Sequence, residues 1–319
     1  MEEQEKVLWI AEIKALKAHY YFELLRRYGP IILVPKNVAT NAGIGEMKQP
    51  RAPFDTCVEE IVTLLDEAMK DLPPMNQKSV SRRAYHSLES AAALKAMALF
   101  YAASPLFNGN PALANFTSKS GENFFNPTPD REKWKRAAEA VDTALMICLE
   151  NGKKLISNKT DGAVEDDRGL RDIMLDIEES SLARNFESSE AIFMIQYENR
   201  ATTSWTRWTR PYFRSGTPDY YADFIGCIAP SIKMVEMYYT EHGVPIDEDR
   251  TWDYSSRYQI GKETDTKYRN VVLLDADSVL RLHLRREPRF YAHIAADRCY
   301  FQRGETIHAE NDLVRAYQG

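Results

Sequence analysis

The sequence predicts a mainly α-helical protein: antiparallel helix pairs of the tetratricopeptide kind carry an irregular, loop-rich lobe with a few short strands. Three observations predict it. Before residue 151, apolar residues recur three or four positions apart in four separate segments, which is the period of helices packed on one side. The residues Ala93–Ala96 (ALKA) repeat Ala15–Ala18 at an offset of 78 positions, about two helical hairpins. Later in the chain, Gly, Pro and polar residues interrupt the helical period.

The composition is that of a folded globular protein. The 319 residues are 44% hydrophobic and 28% charged, and they carry a net charge of −6. No basic cluster is present, which argues against nucleic acid as a partner, and no apolar run reaches the ~20 residues that span a bilayer. We expect residues 1–155 to form the helical scaffold and residues 156–319 the irregular lobe, within one continuous domain.

The first helix is predicted over Trp9–Tyr28, because Gly29 and Pro30 supply a left-handed cap and a stop. The helical period places five large apolar side chains on one face: Trp9, Ile13, Leu16, Tyr20 and Leu24. Three alanines are small enough to admit a neighbouring helix: Ala11, Ala15 and Ala18. We therefore expect this helix to be buried in a helical core.

Three further helices follow in the first half of the chain. The second is predicted to begin at a capping box of Thr56 and Glu59 and to end at Pro73. Its predicted buried face consists of Val58, Ile61, Leu65, Ala68 and Leu72. The third is predicted over Arg82–Ala103 and the fourth over Arg131–Glu150. The predicted buried face of the fourth consists of Trp134, Ala137, Ala138, Val141, Ala144, Leu145, Ile147 and Cys148.

The second half is less regular. The run Glu190–Tyr197 has strand character, a helix is predicted over Ser231–Tyr239, and His293–Ile294 is expected to continue a short strand. The acidic run Glu165–Asp167 lacks the spacing of a calcium loop, so a solvated face is favoured and no metal or other cofactor is expected. The four cysteines are far apart, which favours buried free thiols.

The residues most typical of ligand contact lie between Ser204 and Phe224, where seven aromatic residues occur in 21 positions with arginines between them. Flat aromatic rings suit the apolar faces of sugars, and Arg side chains offer directed hydrogen bonds to hydroxyl groups. Packing of these rings against the helices is the alternative. The candidate ligand-binding residues are Trp205, Arg207, Trp208, Arg210, Tyr212, Tyr220 and Tyr221, with Trp252 from a second polar loop.

No catalytic constellation stands out. The six histidines are scattered, and neither a zinc-protease motif nor a nucleophile elbow nor a phosphate-binding loop is present. A carboxylate pair for glycoside hydrolysis stays open among 47 acidic residues, although nothing selects one pair. We therefore expect a binding protein and not an enzyme.

Six segments occur in a distinctive order: the alanine-rich helix Ala15–Gly29 with Val34-Pro35, the helix from Arg51 to Pro73, Tyr101–Gly109, Trp134–Ala140, Glu190–Phe193, and Pro230–Ile246 with Arg286–Phe290. Together they resemble the SusD/RagB family of Bacteroidota surface lipoproteins. Lys17 stands where the family more often has Arg, and Glu287 where it has Asp. The resemblance covers nearly the whole chain. Because members are longer, we expect this chain to be an internal portion that lacks the lipidated N-terminal segment and the C-terminal helices.

The resemblance implies a nutrient-binding function. Such a protein would capture oligosaccharide at the outer-membrane cell surface and pass it to a SusC-like TonB-dependent transporter, with membrane attachment only through a lipid anchor that this chain lacks. Three alternatives remain: a peptide-binding member of the family, a helical-repeat scaffold for other proteins without a small ligand, and a glycosidase. A pocket formed by the 205–221 loop would favour a small ligand, whereas a continuous concave helical groove would favour the scaffold.

Overall fold

A computed structural model describes residues 3–157, 169–181, 189–194, 208–209, 228–269, 271–273, 278–300 and 314. The chain forms two compact units. The first comprises Met1–Lys154 and Ser189–Ile195, and the second comprises Leu155–Ser188 and Gln196–Gly319. The described residues include no helix that is both long enough and apolar enough to cross a membrane.

The first unit is a row of helices. Its helices are α1 (Glu3–Tyr28), α2 (Ile44–Met47), α3 (Phe54–Met69), α4 (Leu88–Ala103) and α5 (Glu132–Glu150). Helix α1 packs on α3, α3 on α4, and α4 on α5, so that α1 and α5 form the two ends of the row. This arrangement confirms the predicted mainly helical fold.

Helix α3 lies where the sequence predicts it and buries the predicted face. Val58, Ile61, Leu65, Ala68 and Leu72 are all nearly inaccessible to solvent. The predicted capping box was wrong, because the helix begins at Phe54 after Pro53 and has no side-chain cap. The Phe54 N–H instead donates to the carbonyl of Phe124 at 2.8 Å, which satisfies a donor that a cap would otherwise take.

The predicted burial of the large apolar face of α1 was wrong. Its five side chains are between 41% and 63% exposed: Trp9, Ile13, Leu16, Tyr20 and Leu24. The buried face consists of Ala11, Ala15, Ala18, Tyr21, Phe22 and Leu25. Small residues let a neighbouring helix approach closely, and α1 places its alanines towards this core.

Helix α5 shows the same preference for small residues. Ala137, Ala144 and Cys148 are buried as predicted, whereas Trp134, Val141 and Leu145 are exposed, contrary to the prediction. Helix α4 begins at Leu88, six residues later than predicted, because Ser87 and Ser90 form a capping box there. Both ends of the helical row therefore present apolar side chains at the surface.

The predicted strand from residue 190 is absent from the described part, 190–194, which has no regular secondary structure. The segment belongs to the first unit. Its Phe193 ring stacks on the ring of His86, with the centroids 4.6 Å apart and the planes 7° from parallel. In the described part of the run, Phe193 therefore packs in the first unit through this contact and not as part of a strand.

The second unit has short elements. They are α6 (Leu170–Ser181), α7 (Ile232–Glu236), α8 (Pro288–His293) and the strands β1 (Ile260–Gly261) and β2 (Val279–Leu280). The strands pair antiparallel, with Ile260 opposite Leu280. Helix α6 packs on α8, and the core around them contains Tyr268, Val272, Phe290 and Tyr291.

Arg286 organises this unit. It is 0% exposed and donates hydrogen bonds to the carbonyls of Leu282 (2.7 Å), Val235 (3.0 Å), Tyr238 (2.5 Å) and Tyr239 (3.2 Å). Burial lowers the pKa of its guanidinium to about 10. Three of these carbonyls come from the C-terminal end of α7 and the turn after it, and the fourth, that of Leu282, comes from the segment before α8, so one side chain joins these segments.

Helix α8 corrects one prediction, since His293 ends a helix and does not continue a strand. Pro288 occupies the first turn, where its missing N–H costs nothing. Within the described residues, Cys57, Cys148 and Cys299 are buried free thiols, as expected, and burial raises the pKa of Cys57 and Cys148. Cys227 lies outside the described residues.

Candidate ligand-binding pocket

The structure describes two of the eight predicted ligand-binding residues, Trp208 and Trp252. The other six lie outside the described residues: Trp205, Arg207, Arg210, Tyr212, Tyr220 and Tyr221. The Trp208 side chain is 40% exposed, and its carbonyl accepts a hydrogen bond from the Ile228 N–H at 3.0 Å. Trp252, by contrast, lines a pocket in the second unit. Ligand contact by the 205–221 segment stays a prediction.

The pocket has a volume of about 620 Å³ and lies entirely within the second unit. Four short segments form its walls: residues 240–242, 251–256, 261–264 and 281–285. Nearly all of the described side chains that line it are polar or charged, and its large apolar groups are the Trp252 ring and the Leu284 side chain. This volume lies in the range of small-molecule sites.

Trp252 is held in a fixed orientation. Its indole N–H donates to the carbonyl of Leu284 at 3.0 Å. The buried guanidinium of Arg286 lies over its ring, 5.7 Å from the ring centroid. With its polar edge bonded and the ring packed against a cation, the indole presents a rigid flat surface to the pocket.

Arg285 connects three carboxylates at the pocket wall. Its Nε lies 3.0 Å from Glu263 Oε1, and its Nη1 lies 3.4 Å from both Glu241 Oε1 and Asp265 Oδ2. Its φ angle is +54°, a left-handed conformation that is uncommon for a residue with a side chain. Desolvation opposes the charge of Arg285, but the hydrogen bond with Glu263 and the nearby carboxylates raise its pKa overall.

Glu263 is the most buried member of this cluster, with a side chain only 4% exposed. Its Oε1 also accepts hydrogen bonds from the backbone N–H groups of Thr264 and Asp265, both at 2.9 Å. Its Oε2 is buried and has no hydrogen-bond partner. An unpaired buried carboxylate oxygen is costly, so this wall has unused capacity to accept a hydrogen bond.

A second polar cluster ties residues 240–242 to residue 251. Asp249 Oδ2 accepts from Thr240 Oγ1 at 2.6 Å and lies 3.0 Å from His242 Nδ1, while its Oδ1 accepts from Thr251 Oγ1 at 2.6 Å. The hydrogen bonds from Thr240, Thr251 and His242 hold the pKa of Asp249 well below its usual range. This carboxylate therefore serves to join two walls of the pocket.

Another part of the pocket wall is formed by Arg281. Its Nη1 donates to Ser256 Oγ at 2.8 Å and lies 3.5 Å from Asp253 Oδ2. Gly261 approaches this side chain so closely that a Cβ would lie 2.9 Å from Arg281 Cγ. A glycine is therefore needed where β1 meets the pocket.

Trp252, a predicted ligand-binding residue, lines this pocket, and sequence reasoning did not single out the polar groups around it. Glu241, Glu263 and Arg285 are 22 to 44 positions apart, and no motif joins them. Within the described residues, no cluster of three or more His, Cys, Asp or Glu side chains could hold a metal ion. The arrangement is suited to hydrogen bonding and stacking with an organic ligand.

Comparison with known proteins supports one family. Residues 189–318 match the sequence model of the SusD family. The chain is similar to the solved structure of BT4246, with 26% identity and a TM-score of 0.67 over 91% of this chain and 49% of that chain. No curated protein matches it.

Two further solved structures share the fold. The SusD-like protein BF3747 from Bacteroides fragilis is 18% identical, with a TM-score of 0.57 over 92% of this chain and 44% of that chain. BF0978 from the same species, a SusD-like carbohydrate-binding protein, is 16% identical, with a TM-score of 0.53 over 91% and 41% of the two chains. The chain thus spans about half the length of the solved structures it matches or less.

Proposed function

The chain belongs to the SusD/RagB family, and on that premise we propose that it binds oligosaccharide in the pocket around Trp252. The observation that carries the proposal is a rigid indole face beside several side chains that exchange hydrogen bonds. A sugar ring has an apolar face that stacks on an indole and hydroxyl groups at its edge that both donate and accept. The pocket offers an indole face for the apolar side of the ring, and hydrogen-bond donors and acceptors for the hydroxyl groups.

The proposed mechanism is capture and release without bond cleavage. Glu241 and Glu263 both bind Arg285, so these carboxylates hold the wall together instead of facing each other across a cleft. Delivery requires release, so we expect a dissociation constant in the micromolar range, about −8 kcal/mol. Incubation with the bound oligosaccharide should release no new reducing ends.

We propose further that the captured sugar passes to a SusC-like TonB-dependent transporter at the outer-membrane cell surface. The exposed apolar side chains of α1 and α5 support a protein partner for the helical unit, because exposed apolar patches commonly mark interaction surfaces. A doubly charged variant, Ile13→Glu with Leu16→Glu, is expected to lose cross-linking to the transporter in intact cells. Retained cross-linking would contradict a role for this face.

The test of sugar binding is isothermal titration against a panel of oligosaccharides and peptide mixtures. Trp252→Ala is expected to weaken oligosaccharide binding at least tenfold, about 1.4 kcal/mol, because the stacking surface is removed. Trp252→Phe keeps a ring and should retain more affinity than Trp252→Ala. Trp134→Ala, a change of an exposed tryptophan in the other unit, is the matched control and should bind like the parent.

The outcomes separate the remaining alternatives. Binding that survives Trp252→Ala unchanged would exclude this pocket. A response to peptides alone would favour the peptide-binding alternative, for which Arg207 and Arg210 remain candidates. Absence of binding to both oligosaccharides and peptides, with the transporter contact retained, would favour a scaffold without a small ligand.

A further inference from the structure

Among the described residues that line the pocket, the charges are balanced, and both arginines are already paired with carboxylates. Three cationic side chains, Lys262, Arg281 and Arg285, face three carboxylates, Glu241, Asp253 and Glu263. Arg285 is in contact with Glu241, Glu263 and Asp265, and Arg281 with Asp253 and Ser256. An anionic ligand would have to compete with carboxylates that already occupy both guanidinium groups.

The remaining positive groups do not change this balance. Lys262 is exposed at the surface, where its ammonium is well hydrated and screened by salt. Arg286, behind the Trp252 ring, gives its N–H groups to four backbone carbonyls. His242 is bound to Asp249. Among the described residues, the pocket thus has no cation that is both buried and available to an anion.

The unsatisfied hydrogen-bonding atom in this wall is an acceptor and not a cationic donor. Glu263 Oε2 is buried without a donor, in a side chain only 4% exposed. A ligand hydroxyl, or a water that it holds, can satisfy this oxygen once the Glu263 side chain turns towards the pocket, whereas a carboxylate or sulfate brings only further acceptors. A negative charge at this wall would also be repelled by Glu241, Glu263 and Asp265.

From these contacts, and resting on the proposed function, we propose that the pocket is selective for uncharged sugar units and rejects units that carry a carboxylate or sulfate. Trp252 would hold the ring face, and the Arg285 cluster would receive its hydroxyl groups. Because the carboxylates around Arg285 cancel its charge, this arginine acts toward the ligand as a hydrogen-bond donor and not as an anion-binding group. Glu241 and Asp265 thereby become specificity-determining residues.

The test compares matched ligands on the full chain. The probes are neutral gluco-, galacto- and manno-oligosaccharides of five or six units, each beside its counterpart oxidised at C6 to the uronate, measured by isothermal titration. We expect a neutral oligosaccharide to bind and its uronate counterpart to bind at least 30-fold more weakly. A uronate that binds as tightly as the neutral form, or more tightly, overturns the selectivity while leaving sugar binding intact. Absence of binding to every probe overturns the proposed function together with this inference.

A pair of variants tests the stated cause. Glu241→Gln keeps the size of the side chain but removes one charge beside Arg285, so the preference for neutral over uronate ligand is expected to fall at least fivefold. Glu248→Gln removes a charge from an exposed residue that does not line the pocket, and its preference should match that of the parent. An unchanged preference in Glu241→Gln would overturn the role assigned to the Arg285 cluster.

Discussion

Replacement of Arg286 by Met is expected to destabilise the second unit by about 4 kcal/mol. The guanidinium satisfies four backbone carbonyls, and a buried polar group left without a partner costs about 1–3 kcal/mol each, partly recovered by relaxation. Met retains apolar volume, so the loss reports mainly on hydrogen bonds. Arg286→Lys should also be destabilising, because an ammonium cannot reach carbonyls arranged for a planar fork.

The measurement is urea denaturation combined with hydrogen exchange of peptides from residues 232–240, which reports on the second unit alone. Arg250→Met is the matched control, because Arg250 is exposed and its change should alter the free energy of unfolding by no more than about 0.5 kcal/mol. Equal protection of residues 232–240 in the Arg286→Met and Arg250→Met variants would show that the buried guanidinium does not hold α7 to the segment before α8.

Acidification is expected to destabilise the first unit through His86. Its side chain is buried, with Nδ1 3.1 Å from Ser90 Oγ and Nε2 3.2 Å from His19 Nδ1. Burial, and then the nearby His19 and Lys78, lowers the pKa of His86 to about 4 from the usual 6.5. Between these values the unfolded chain binds more protons than the folded one, so stability falls as the pH falls through this window. The full loss is about 3 kcal/mol, reached below pH 4.

The expected result is that the difference in the free energy of unfolding between the His86→Gln variant and the parent changes with pH. His86→Gln can be less stable than the parent at pH 7, but its disadvantage should shrink as the pH falls from 6.5 to 4. Hydrogen exchange at the start of α4 measures this for the first unit. His293→Gln, a change of an exposed histidine in the other unit, is the control. A constant difference between the His86→Gln variant and the parent across this pH range would contradict the assigned protonation.

Some of this molecule follows from local sequence pattern. The α3 face is apolar on one side only, so periodicity identified five of the six buried residues from Val58 to Leu72 and missed Val62. In α1 both faces are apolar, one with five large side chains and the other with three alanines beside Tyr21, Phe22 and Leu25, and periodicity alone does not choose between them. The face that carries the alanines packs against α3, because the distance between two helix backbones depends on side-chain size as well as on hydrophobicity.

The sequence by itself determined the helical class, the order of the main helices and the family resemblance. Those features depend on residues close together in the chain. Only the tertiary structure decided the rest: that Arg286 is a buried hydrogen-bond donor to four carbonyls, and that Glu241, Glu263 and Arg285 surround Trp252's pocket. These contacts join residues up to 51 positions apart, and their formation depends on turns whose hydrogen bonds leave no periodic signal in the sequence.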